Sequence, residues 1–121
     1  MDQLYAAVVQ HHEDLAAWLS GRAAAEALNR FQQAHHPDFT LVTIDGTRLD
    51  LPTLTNALST SHNAVPGLTI SIEEFELVVA TADLVVCRFL ERHSVGGVRR
   101  VTAVLVADTH QWLTVHETSV R

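Results

Sequence analysis

Leu84-Val85-Val86-Cys87-Arg88-Phe89-Leu90-Glu91-Arg92-His93 is followed, across Val95-Gly96-Gly97, by Arg99-Arg100-Val101-Thr102-Ala103-Val104-Leu105-Val106-Ala107. Side chains in both runs follow a period of two and glycines punctuate the join, so the pair reads as consecutive antiparallel strands. The same period extends outward to residues 68–80 before Ala82-Asp83 and to residues 112–118 after Asp108-Thr109-His110. Consecutive strands with short breaks make a meander, whose apolar face must be covered by what precedes it.

Upstream the period changes. Leu4, Val8, His12, Leu15 and Leu19 recur every three or four residues and predict one helix, and Ala24, Leu28, Phe31 and His35 predict a second beyond Ser20-Gly21. His36-Pro37 ends it, because the residue before a proline avoids helical angles. The β-branched run Phe39-Thr40-Leu41-Val42-Thr43-Ile44, turned by Asp45-Gly46 into Thr47-Arg48-Leu49, predicts a short hairpin. Asp50-Leu51-Pro52 starts a third helix carrying Leu54, Ala57, Leu58 and His62 on one face, which ends before Pro66-Gly67. The expectation is a single α+β domain over residues 1–121, with no internal repeat or linker.

Composition narrows the function classes. A formal charge of −6, with Arg99-Arg100 the only directly adjacent basic pair, argues against nucleic acid as a partner. No apolar run has membrane length, and the opening residues lack the basic start and apolar block of a signal peptide, so a cytoplasmic protein without membrane contact is expected. The single cysteine, Cys87, lies in an apolar run and reads as a buried small hydrophobe. No phosphate-binding glycine loop or nucleophile elbow is present, and no cofactor is implied.

The element order, with His36-Pro37-Asp38-Phe39-Thr40-Leu41-Val42, Asp45-Gly46, Pro66-Gly67-Leu68 and the closing Trp112-Leu113-Thr114-Val115-His116-Glu117-Thr118, resembles the SnoaL-like branch of the nuclear transport factor 2-like superfamily. The resemblance implies a cone: a strongly curved antiparallel sheet wrapped around helices, a pocket open at the wide end, and a homodimer formed through the sheet. It implies no single activity, since the superfamily includes isomerases, cyclases, dehydratases and binding adaptors. The isomerases' Asp base and Tyr/Asp oxyanion hole find no counterpart here, where Tyr5 is the only tyrosine.

A short hairpin loop would set Arg88 near Ala103, and Ala103 near His116, placing Arg88 and His116 on one face with Thr114 and Trp112. That group could hold an anionic or planar ligand, with His116 as acid or base; on a convex face the same residues would be solvated or packed in a dimer. Val104 and Val106, pointing the other way, look like core. Glu91 shares the opposite face with Cys87, Phe89 and His93, where it is either a pocket carboxylate or half of a rim ion pair with Arg100. The eight histidines do not make a metal site: His11-His12 and His35-His36 are adjacent pairs, and helix neighbours diverge by about 100°. His12, His35, His62 and His116 are the histidines that could meet in a pocket.

The sequence reading is therefore a small-molecule-binding domain with an apolar pocket lined by Trp18, His62, Arg88, Glu91 and His116, taking a small apolar or anionic ligand. His116 and Glu91 are the catalytic candidates should it perform cofactor-free acid–base chemistry. The alternative is a homodimeric interaction module whose cavity is filled by its own side chains.

Overall fold

The computed structural model describes residues 2–120. Three helices, α1 (Asp2–Leu19), α2 (Glu26–Gln33) and α3 (Leu51–Ser59), pack on six strands: β1 (His35–Val42), β2 (Arg48–Asp50), β3 (Ile70–Ala80), β4 (Leu84–His93), β5 (Gly97–Val106) and β6 (Trp112–Val120). The strand order is β2-β1-β6-β5-β4-β3. β3 to β6 form the expected antiparallel meander, while β1 pairs parallel with β6, so the sheet is mixed. The sheet is curved and unclosed, the cone expected of the α+β reading.

Helix α1 lies against the concave face. Leu4, Val8, His12 and Ala16 recur every four residues and are all buried. Leu4 and Val8 pack with Val85, Cys87, Phe89, Val101, Ala103 and Leu105 in the main core, where a large aliphatic or aromatic side chain contributes about 1.5–3 kcal/mol on burial. The end of α1 is sealed by the loop after α3: Asn63 and Val65 donate backbone N–H groups to Trp18 and Leu19 carbonyls. This requires a glycine at Gly21, which has φ +80° and where a Cβ would stand 2.6 Å from the Asn63 side chain. The seal brings Val65 and Leu68 beside the helix. Asp50 caps α3 by accepting from the Thr53 N–H at 2.9 Å, with Pro52 in the first turn.

Several expectations are corrected. His35 begins β1 and does not continue α2, which stops at Gln33. The turn between β4 and β5 is Ser94-Val95-Gly96, and Gly96 and Gly97 both have positive φ. With that turn Arg88 pairs with Thr102, and Thr102 with His116, one residue from the expected register. Glu91 consequently faces Arg99 and not Arg100. Val101, Ala103 and Leu105 are the core residues of β5, while Val104 and Val106 are only half-buried.

A second shift lies in β6, where Val104 pairs with Thr114 but Leu105 with Trp112. The extra residue, Leu113, is a bulge that turns Trp112 onto the concave face with Val115 and Glu117, away from Thr114 and His116.

Candidate functional site

Between α1, α3 and the concave sheet lies a cavity of about 660 Å3. Its walls are mostly aliphatic and aromatic, from Leu15 and Leu19 on α1 through Phe39 and Leu41 on β1 to Val101, Trp112 and Val115. Its mouth lies between two turns, where the lining residues Ile44, Asp45 and Val95 are exposed.

The buried polar residues in this apolar setting are His12, His35, Glu91 and Glu117. Glu91 is 3% exposed. Its Oε2 lies 3.1 Å from His12 Nε2 and its Oε1 2.6 Å from His93 Nε2. His12 Nδ1 lies 2.8 Å from the Val8 carbonyl. A carbonyl only accepts, so Nδ1 carries a hydrogen; Nε2 faces a carboxylate, so a further proton must sit between it and Glu91. Burial works to lower the His12 pKa, but the Glu91 bond and charge outweigh it and raise it. Burial likewise works to raise the Glu91 pKa, and the two imidazoles hold it well below the usual carboxylate range. The pair is therefore an imidazolium and a carboxylate.

Two further histidines are neutral. His11 is stacked between Phe31 and Trp112, with ring centroids 4.6 and 4.4 Å away. Burial, then the neighbouring His12 and His35, push its pKa well down. His35 donates Nδ1–H to the Phe31 carbonyl at 2.7 Å, and burial lowers its pKa to about 4.

Nearer the mouth Glu117 is 9% exposed, and burial, reinforced by the Glu91 charge, raises its pKa. Its partner is Arg99, whose Nη1 donates to Glu117 Oε1 at 3.4 Å while the buried Arg99 Nε has no partner among the described residues. Among the described residues no group of three His, Cys, Asp or Glu side chains is arranged to hold a metal ion, and no helix is long and apolar enough to cross a membrane.

Of the residues named from sequence, the structure places Glu91 in this cavity and the other four outside it. Trp18 packs with Phe31 and Leu58 and donates Nε1–H to the Leu58 carbonyl at 2.7 Å, but does not line the cavity. His62 is exposed beyond the end of α3, tilted against Trp18 at 4.5 Å and donating Nε2–H to the Ala23 carbonyl. Arg88 and His116 share a face, the outer one, where Arg88 pairs with Glu76 at 3.0 Å and His116 is exposed. The expected Glu91–Arg100 pair is absent because Arg100 points outward, 4.0 Å from Glu74. Of the four histidines expected to meet, His12 and His35 line the cavity; His62 and His116 do not.

Sequence reasoning missed His11, His93, Arg99 and Glu117 as cavity residues. Period-two alternation from Glu91 through a three-residue turn would have found Arg99. No sequence signal marks the β6 bulge that brings Trp112 in.

Comparison with solved structures relates this curved, mixed sheet wrapped around helices to nuclear transport factor 2-like proteins. An NTF-2-like protein of unknown function from Pseudomonas aeruginosa superposes with a TM-score of 0.85 at 26% identity, over 97% of this chain and 98% of that one. An NTF2-like protein from Cytophaga hutchinsonii matches at 0.72 and 11% identity, over 98% and 93% of the two chains. The CaMKII hub homology domain of Chlamydomonas reinhardtii matches at 0.70 and 12%, over the whole of both. No family model and no curated protein matches the sequence. The chain has the nuclear transport factor 2-like fold over nearly its whole length.

Proposed function

We propose that this domain binds a small, largely apolar molecule in the cavity between α1, α3 and the sheet. The observation that carries the reading is the cavity itself: about 660 Å3, walled by apolar side chains, with a few buried polar groups converging on one part of it. The Glu91–His12 pair contributes a fixed dipole to the wall, but both carboxylate oxygens already engage imidazoles, so it anchors the site more readily than it exchanges protons with a guest. The conclusion is therefore binding, with cofactor-free acid–base chemistry as the activity to assay once a ligand is known.

The test is organic extraction of protein purified from its native host, followed by mass spectrometry, beside a Leu41→Trp variant. Leu41 lines the cavity and is only half-buried, so an indole there occupies the space. A molecule recovered near stoichiometry from the wild type and lost from the cooperatively folded variant supports the reading. Absence of any such molecule, together with failure of apolar probes to bind, overturns it.

A second reading, self-association, is favoured by one observation: Leu77, Val78 and Val79 on β3 and Leu84 on β4 are all 39–49% exposed. A concentration series in analytical ultracentrifugation tests whether they are covered by another copy. Binding and assembly are compatible, since none of these four residues lines the cavity.

A further inference from the structure

His11 and Trp112 are the two residues that two hollows of the fold share. On one side of them is the main cavity. On the other is a surface cleft of about 320 Å3 between α1, the end of α2 and the turn before β6, lined by Gln10, Asp14, Gln33 and His110. The His11 and Trp112 rings stack with centroids 4.4 Å apart and planes 27° from parallel. The wall between cavity and cleft is therefore one pair of rings.

His11 is held in that wall loosely. The His12 and His35 rings are tied to the Val8 and Phe31 carbonyls, whereas the His11 ring makes no hydrogen bond among the described residues and rests on Phe31 and Trp112. A proton on it there would stand beside the His12 imidazolium and the His35 ring, 5.3 and 4.9 Å away between centroids. Glu91 on β4 attracts that proton, but His12 and His93 already engage both its oxygens. On the cleft side the balance reverses. Asp14 lies three residues further along α1, a spacing that makes helix residues neighbours, and its Oδ1 alone is engaged among the described residues, by Gln10 Nε2 at 2.9 Å. His110 is the other titratable group of the cleft.

We propose that His11 is an acid-operated gate between cavity and cleft: once protonated, its ring leaves the stack for Asp14 and opens a second route by which the cavity's ligand enters and leaves. The one chemical step is uptake of a proton from solvent. The inference rests on the cavity being a ligand site and adds how access to it is regulated. Burial, then His12 and His35, hold the His11 pKa well below 6.5 while the ring is in the stack; an imidazole beside a surface carboxylate titrates at the ordinary value or above. The open state thus binds the proton more tightly, and its population grows as pH falls through about 6.5.

The experiment follows 1-fluoronaphthalene by fluorine NMR, whose line shapes give its dissociation rate and Kd, at pH 7.5 and 5.5 in the wild type, His11→Phe and Asp14→Asn. The phenyl ring of His11→Phe keeps the stack and cannot titrate. Expected in the wild type is a dissociation rate about tenfold higher at pH 5.5, the change in protonated open state across that range. Kd should stay the same, because a gate alters the route and not the site. His11→Phe should keep the slow rate at both pH values. Asp14→Asn, in the cleft and clear of the cavity, keeps an acceptor for Gln10 and should lose most of the rise. A wild-type rate independent of pH, or the same rise in His11→Phe, overturns the gate and leaves the cavity reading standing. Should His11→Phe not fold, the full rise in Asp14→Asn overturns it equally. Failure of the probe to bind at either pH overturns both.

Discussion

Glu91 Oε2 lies 3.1 Å from His12 Nε2, joining β4 to α1 across 79 positions of chain, with both residues buried. The contact fixes the rotation of α1 on the sheet, since Val8 occupies the other imidazole nitrogen. Truncating one partner of such a pair strands the other in the core.

Glu91→Leu should therefore cost about 3–5 kcal/mol in urea unfolding at neutral pH, because His12 and His93 both lose their acceptor. Glu91→Gln should cost much less. Its amide donates to a neutral His12 Nε2 while its carbonyl accepts from His93, so the bonds survive and the charge does not. Nuclear magnetic resonance titration of His12 should then show its raised pKa falling. Equal destabilisation by both variants would count against the ion pair.

Stability should decline on acidification through a window set by His35. Its pKa falls from 6.5 in the unfolded chain to about 4 in the fold, so between these values the unfolded state binds the extra proton and is favoured as pH drops. His11 acts in the same sense. His12, raised in the fold, gives stability that is complete below 6.5 and lost as pH climbs through its folded value. Glu91 gives stability present above 4.5 and lost further into acid. His35→Asn keeps a donor for the Phe31 carbonyl and removes the titration. Urea midpoints from pH 7 to 4 should show a loss smaller by about 3 kcal/mol in this variant, since each tenfold difference in proton affinity between the two states is about 1.4 kcal/mol. Parallel curves would refute the assignment.

Arg88 and His116 show where the sequence could be read and where it could not. Alternation put them on one face, and they share one, because a shift of one residue in each of two pairings keeps the parity between β4 and β6. Which face was concave depended on Val101, Ala103 and Leu105 against Val104 and Val106, nearly equal in hydrophobicity. Helix neighbours His11 and His12 diverge as expected, yet both reach the interior, because α1 is covered by β4 on one side and by Phe31 and Trp112 on the other. Periodicity sees one apolar stripe and not a helix enclosed on two sides.

The outer placement of Arg88 has its own consequence. Side chains 40% and 56% exposed make the Arg88–Glu76 pair a solvated one, so Arg88→Ala and His116→Ala should each alter stability by less than about 0.5 kcal/mol. Neither should change binding of an apolar probe in the cavity. A tenfold affinity loss in Arg88→Ala would return that residue to the site.

Cys87 connects the core to the cavity in a measurable way. It is fully buried, and burial pushes its thiol up to about 11, so a disulfide reagent at mild alkaline pH meets almost no accessible thiolate until the sheet opens. Labelling should follow global unfolding, and as the only cysteine its signal needs no assignment. A ligand that binds the fold and not the unfolded chain suppresses opening by the factor 1 + [L]/Kd, about 100-fold at a hundred times Kd. An apolar probe such as methylnaphthalene should slow labelling in the wild type by that factor and leave the Leu41→Trp rate unchanged. Equal protection of both proteins would mean that the probe binds elsewhere, because the indole fills the cavity without touching the route by which Cys87 is exposed.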